Sequence, residues 1–67
     1  MPKGVVQFFI PKKGYGYVKV PESREEFYVK KEKEMEDLKR GDWVEFELKE
    51  TRQGLVAVRI KKLTSNQ

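Results

Sequence analysis

Gly4-Val5-Val6-Gln7-Phe8-Phe9-Ile10-Pro11-Lys12-Lys13-Gly14-Tyr15-Gly16-Tyr17-Val18-Lys19-Val20-Pro21 holds two β-rich runs, and their reading decides the fold. The runs are Gly4 to Ile10 and Tyr15 to Val20. Each is stopped by a proline, which cannot donate to a central ladder. Lys12-Lys13-Gly14 supplies the turn between them. Three runs of the same character follow: Glu26 to Lys30, Trp43 to Glu50 and Leu55 to Lys62, with 63–67 as a tail. Thr51 to Gly54 reads as a hairpin loop in which Gly54 can take a positive φ. Short strands punctuated by turn residues are the pattern of a small all-β domain.

Side chains alternate across a strand, so each run divides into two faces. In the second run, Val18 and Val20 share a face with Gly16, and Tyr15, Tyr17 and Lys19 share the other. In the third, Phe27 and Val29 oppose Tyr28 and Lys30. In the fourth, Val44, Phe46 and Leu48 oppose Trp43, Glu45, Glu47 and Lys49. In the fifth, Val56, Val58 and Ile60 oppose Leu55, Ala57, Arg59 and Lys61. The first-named set of each run is expected inside. Five strands sharing one core imply a closed or nearly closed barrel, which removes exposed edges. Strict alternation in the first run buries one of Phe8 and Phe9, whereas a bulge brings both near the surface.

The segment from Lys30 to Asp42 is nearly all charged. Glu32 with Glu36 and Lys33 with Asp37 stand at helical spacing, with Met35 and Leu38 turned inward. A short helical turn and a solvated loop both fit it. Trp43 then opens the fourth run facing outward; it is expected to cover the barrel rim against the charged segment, with contact to a ligand as the alternative.

The chain has 67 residues, enough for one domain. It contains neither Cys nor His. Disulfides, thiolate metal sites and the commonest general base are thereby excluded. Ser23, Thr51, Thr64 and Ser65 lie in loops or the tail with no evident base, so no enzyme is expected, and no cofactor or metal. Gly14-x-Gly16 is followed by no Gly-Lys-Ser/Thr and opens no helix, so it is no phosphate-cradling loop. Met1-Pro2-Lys3-Gly4 lacks the apolar core of a signal peptide, and no run approaches the ~20 apolar residues of a membrane span. The expectation is a cytoplasmic, monomeric protein without membrane contact.

Fifteen basic against 11 acidic residues give a net charge of +4, which attracts polyanions. The charges are unevenly placed. Glu45 and Glu47 on the fourth run repel phosphate, whereas the second and third interleave Tyr15, Tyr17 and Tyr28 with Lys19 and Lys30. Unpaired bases stack on such rings and lysines follow the phosphates. Gly14 and Gly16 let rings lie flat and backbone approach closely. The three tyrosines also fit ordinary cross-strand packing.

Lys13-Gly14-Tyr15-Gly16-Tyr17-Val18 resembles the first ribonucleoprotein motif of cold-shock domains, Lys-Gly-aromatic-Gly-aromatic-aliphatic. Glu26-Phe27-Tyr28-Val29-Lys30 resembles the second, usually Asp-Val-Phe-Val-His. Gly4-Val5-Val6-Gln7-Phe8-Phe9 is similar to the family's Gly-x-Val-Lys-Trp-Phe opening. The resemblance spans roughly residues 3 to 62. It implies a small five-stranded antiparallel OB-fold barrel that binds single-stranded RNA or DNA and acts as an RNA chaperone without ATP. The implied stacking rings are Phe8, Tyr15, Tyr17 and Tyr28, with Phe9 beside them, Lys13 on phosphate and Lys30 supplying charge; the reading of the strand faces adds Lys19 to the phosphate path. Phe8 stands where the family has Trp, Ile10 where it has Asn, Lys30 where it has His and Lys31 where it has Phe. The loop before the fourth strand is short and lacks the family's aromatic. Rings are thus exchanged for charge, which predicts weaker stacking, steeper salt dependence and less sequence preference. A peptide-binding barrel, or an OB or TRAM-like module docking on structured RNA, is the competing expectation.

Charged residues make up 39% of the chain, with Lys and Glu prominent, as in heat-adapted proteins. A thermophile source is expected. Calorimetry should place thermal unfolding above the ~45–65 °C of mesophile domains, and a midpoint inside that range overturns the expectation.

Overall fold

The computed structural model describes residues 2–63. The expected tail beyond Leu63 lies outside the described residues. Five strands follow the runs read from the sequence to within a residue: β1 Lys3–Ile10, β2 Tyr15–Val20, β3 Glu25–Lys30, β4 Trp43–Thr51 and β5 Gly54–Lys62. They close into a barrel in the order β1-β2-β3-β5-β4. Neighbours pair antiparallel except at the seam between β3 and β5, which is parallel and short.

The interior holds Val6, Val18, Phe27, Val29, Val44, Phe46 and Ala57, with Leu38 buried beside them. Phe46 is the largest fully buried side chain, and its ring meets that of Phe27 at 6.1 Å. No polar or charged residue is buried among the described residues. The core is therefore held by apolar burial alone, worth roughly 1.5–3 kcal/mol for each large side chain.

Two bulges set which side chains face out. Between Val6 and Phe8 the β1–β2 register slips by one, with Gln7 as the extra residue. Val6 points inward, Phe8 is 39% exposed, and Phe9 packs partly buried against the core. The second bulge lies on β5, where Arg59 and Ile60 together oppose Phe46. Arg59 takes a positive φ of 53°, which spends one residue without advancing the alternation.

This second bulge corrects the expected faces of β4 and β5. Ala57 is the buried residue of β5, at 2% exposure, while Val56 and Val58 lie half-buried on the outer side. Ile60 packs against the core because the bulge restores it to the inner side. Ala57 lies in register with Val29, which lies in register with Gly16. That interior row alternates small and large side chains, as a narrow barrel requires. Leu48 pairs with Ala57 but is 40% exposed, because it lies toward the β4–β5 hairpin turn.

The charged segment between β3 and β4 is a loop with turns and no helix. Leu38 is buried and Met35 half-buried, so the segment is pinned at two points. A helix this short is marginal in water. Glu32 instead reaches the β5 bulge, where both carboxylate oxygens accept from the Arg59 N–H at 3.0 and 3.1 Å. The segment ends in a turn in which Lys39 N–H donates to the Asp42 carboxylate at 2.9 Å.

At Gly16 the strands approach most closely. A Cβ there would run into the Phe8 carbonyl oxygen and lie 2.8 Å from Phe9 Cα. Backbone cannot yield as a flexible side chain would. Gly16→Ala should therefore cost about 1–3 kcal/mol or more of stability in urea melts, and an unchanged midpoint would show that β1 can shift.

Candidate nucleic-acid interface

The outer surface of β1, β2 and β3 carries two aromatic rows. Phe8, Tyr17 and Tyr28 lie in register on adjacent strands, and Ile10, Tyr15 and Lys30 form the next row. Directly opposed residues share a face, so the rings are set side by side by the ladder itself. Phe8 and Tyr17 have centroids 5.5 Å apart, and Tyr17 and Tyr28 meet edge to face at 5.8 Å. Phe8 meets Tyr15 at 6.1 Å, and Tyr15 stacks near Tyr28 at 6.2 Å with planes 20° apart. All four separations fall within the range of favourable aromatic pairs. Each ring braces two others, so the surface is organised without a ligand.

The rings remain accessible. Phe8 is 39% and Tyr17 36% exposed, with Tyr15 and Tyr28 half-buried beside them. Phe9 stands apart from this group. It faces inward over Gly16, behind the ring layer, because the Gln7 bulge separates its direction from that of Phe8.

Lysines border the rings. Lys30 lies opposite Tyr15, and Lys19 continues β2 beyond Tyr17, opposite Glu26. Lys13 is exposed in the β1–β2 turn, where its N–H and that of Gly14 donate to the Ile10 carbonyl at 3.0 and 2.7 Å. The turn closes with Gly14 at φ 75°, a conformation that favours glycine. Among the described residues, ion pairs join only Arg59 to Glu47 and Lys62 to Asp42. Both lie away from the rings. Among the described residues none of Lys13, Lys19 and Lys30 is within ion-pair distance of a carboxylate, Glu26 opposite Lys19 included.

The structure adds Gln53, Leu55 and Val56 to this surface, of which strand alternation predicts Val56 inside. A groove of about 470 Å³ runs from Tyr17, Tyr28 and Lys30 to Gln53, Leu55 and Val56. Val56 reaches this surface because it pairs with Tyr28 across the parallel seam. Nothing in the β5 pattern signals that pairing, since the seam joins segments distant in the chain. Trp43 also departs from expectation. It is 50% exposed and lines a concavity with Pro2, Lys3, Val20, Pro21 and Glu22, not with the charged segment. The indole lies on the outer side opposite Val5, as expected, while Leu38 and Met35 are the residues of that segment that pack on the core.

Residues 2–63 match the 'Cold-shock' DNA-binding domain. The chain belongs to this family. No curated protein matches it significantly. A cold-shock domain is a nucleic-acid-binding module, and the exposed rings of this one fit that activity. Its surface combines four mutually packed rings with lysines that have no acidic partner within ion-pair distance among the described residues.

That balance predicts a measurable salt effect. Each phosphate contact on a single strand contributes about 0.7 to the slope of log affinity against log salt. Replacing Lys13 and Lys30 together by Ala should flatten the slope by about 1.4. An unchanged slope would remove both lysines from the phosphate path.

Proposed function

We propose that this cold-shock domain binds single-stranded RNA or DNA, and that it loosens paired structure without ATP. The observation that carries the reading is the open layer of Phe8, Tyr15, Tyr17 and Tyr28 on one side of the barrel. Unpaired bases present flat faces that stack on such rings whatever their sequence. Duplexes hide those faces, so the layer discriminates against paired strands. Lys13, Lys19 and Lys30 then follow the phosphates and release counterions. Phe9 supports the layer from behind.

Remodelling needs no bond to be made or broken. A protein that binds only the open strand stabilises it by mass action, by about 2.7 kcal/mol at a concentration 100 times Kd. That is enough to open weak hairpins and too little to melt long duplexes. Weak, salt-labile contacts let the strand leave afterwards. One face of one barrel suffices for this, so the domain acts as a monomer.

Fluorescence anisotropy of end-labelled single strands and matched duplexes tests the reading. Single strands should bind more tightly than duplexes, and Tyr15→Ala and Tyr17→Ala should each weaken binding by ~1–3 kcal/mol. Equal binding of duplexes, or tyrosine variants that bind like the parent, would overturn it.

A further inference from the structure

Trp43 is the only tryptophan of the chain, and it is half exposed at the start of β4. Large aromatic side chains in a small barrel gain most when buried, so an indole left open is a feature to be explained. Its place in the ladder is informative. Trp43 lies opposite Val5, and Val5 lies opposite Lys19, so the three form one row across β4, β1 and β2. Lys19 stands two residues beyond Tyr17 on β2, an advance of about 6.6 Å. The Trp43 row is therefore the next row of the same outer surface that carries Phe8, Tyr17 and Tyr28.

Beside the indole is a concavity of about 420 Å³, walled by Pro2, Val20 and Pro21 and edged by Lys3 and Glu22. The walls are apolar and the size suits a small flat group. Lys19 stands on the approach from the rings, opposite Glu26, and Lys3 lies beyond the indole row, opposite Glu45; neither lysine is within ion-pair distance of a carboxylate among the described residues. Glu22 repels phosphate, which favours a base over the backbone inside the concavity.

We infer that Trp43 and its concavity form a further base-stacking station, occupied by the end of a single strand that already lies on the tyrosine face. The inference rests on the single-strand reading above, since the strand reaches Trp43 by way of Tyr17 and Lys19. Val5 between them gives the passing sugar and backbone an apolar floor. Strands too short to span both places leave the station empty.

The lone indole makes a direct test possible, because the ring layer itself contains no tryptophan. Homopolymer DNA strands from about 4 to 16 nucleotides, the site-size range of OB folds, are titrated into the protein. Anisotropy of the labelled strand reports binding to the rings, and Trp43 emission reports occupancy of the concavity. The shortest strands should raise anisotropy and leave emission unchanged. Above a threshold length emission should change with the same midpoint, and affinity should rise about tenfold beyond its earlier trend. Trp43→Ala should lose that rise and bind the shortest strands like the parent, and Trp43→Phe should recover part of it. Circular dichroism melts identify any variant that has lost its fold, in which case the Trp43→Phe variant and the parent's emission decide. Binding at every length with unchanged emission overturns the station and leaves the ring layer standing. Absence of binding at low salt overturns both.

Discussion

Strand β1 passes β2 at Gly16 with the Phe8 carbonyl and Phe9 Cα in the space that a side chain would fill. The ring layer depends on this contact. Close approach draws Phe9 over the core, and the Gln7 bulge just before it turns Phe8 to the opposite side. Phe8 then meets Tyr17 in register, and Tyr17 meets Tyr28. One missing Cβ and one extra residue thus convert an apolar strand into the edge of an aromatic surface. Gly16 also begins the interior row that continues through Val29 to Ala57, so the same narrowness shapes both sides of the sheet.

Charge is distributed so that structure and binding do not compete for it. The two ion pairs among the described residues involve Arg59 with Glu47 and Lys62 with Asp42, on the β4–β5 side and its approach. The exposed Arg59–Glu47 pair contributes little stability. More depends on Glu32, whose carboxylate receives the backbone N–H at the left-handed Arg59. That contact ties the charged loop to the β5 bulge, and the bulge decides that Ala57 rather than its valine neighbours enters the core. Val56 is thereby released to the outer surface beside Tyr28. Glu32, Glu47 and Asp42 are engaged away from the rings, and the lysines of β2, β3 and the β1–β2 turn remain for a polyanion.

The legible parts of the sequence are those governed by local rules. Pro11, Pro21 and the glycines of the turns end the strands where the chain requires it, so the runs are recovered within a residue. Tyr15, Tyr17 and Tyr28 are assigned to the correct face because β2 and the end of β3 keep an unbroken alternation. The errors fall where alternation is interrupted. β5 reads as Val56, Val58 and Ile60 inward only if no residue is inserted, and Arg59 inserts one. Leu48 satisfies the inward pattern yet lies exposed near the hairpin end, since a pattern gives direction but not depth. Trp43 is assigned to the correct outer face but to the wrong neighbours, because Pro2 and Pro21 come from other strand ends.

Local chemistry, then, determines the all-β class, the five strands, the motifs of the cold-shock family and the tyrosine-lysine face, because each follows from the period of a strand or the properties of a single residue. Closure of the barrel decides the remainder. The parallel seam, the bulges at Gln7 and Arg59, the inward turn of Phe9 and the setting of Trp43 all depend on which distant segments meet. A strand cannot encode such a meeting within its own alternation, because the space available to a side chain is defined by the strands that pack around it.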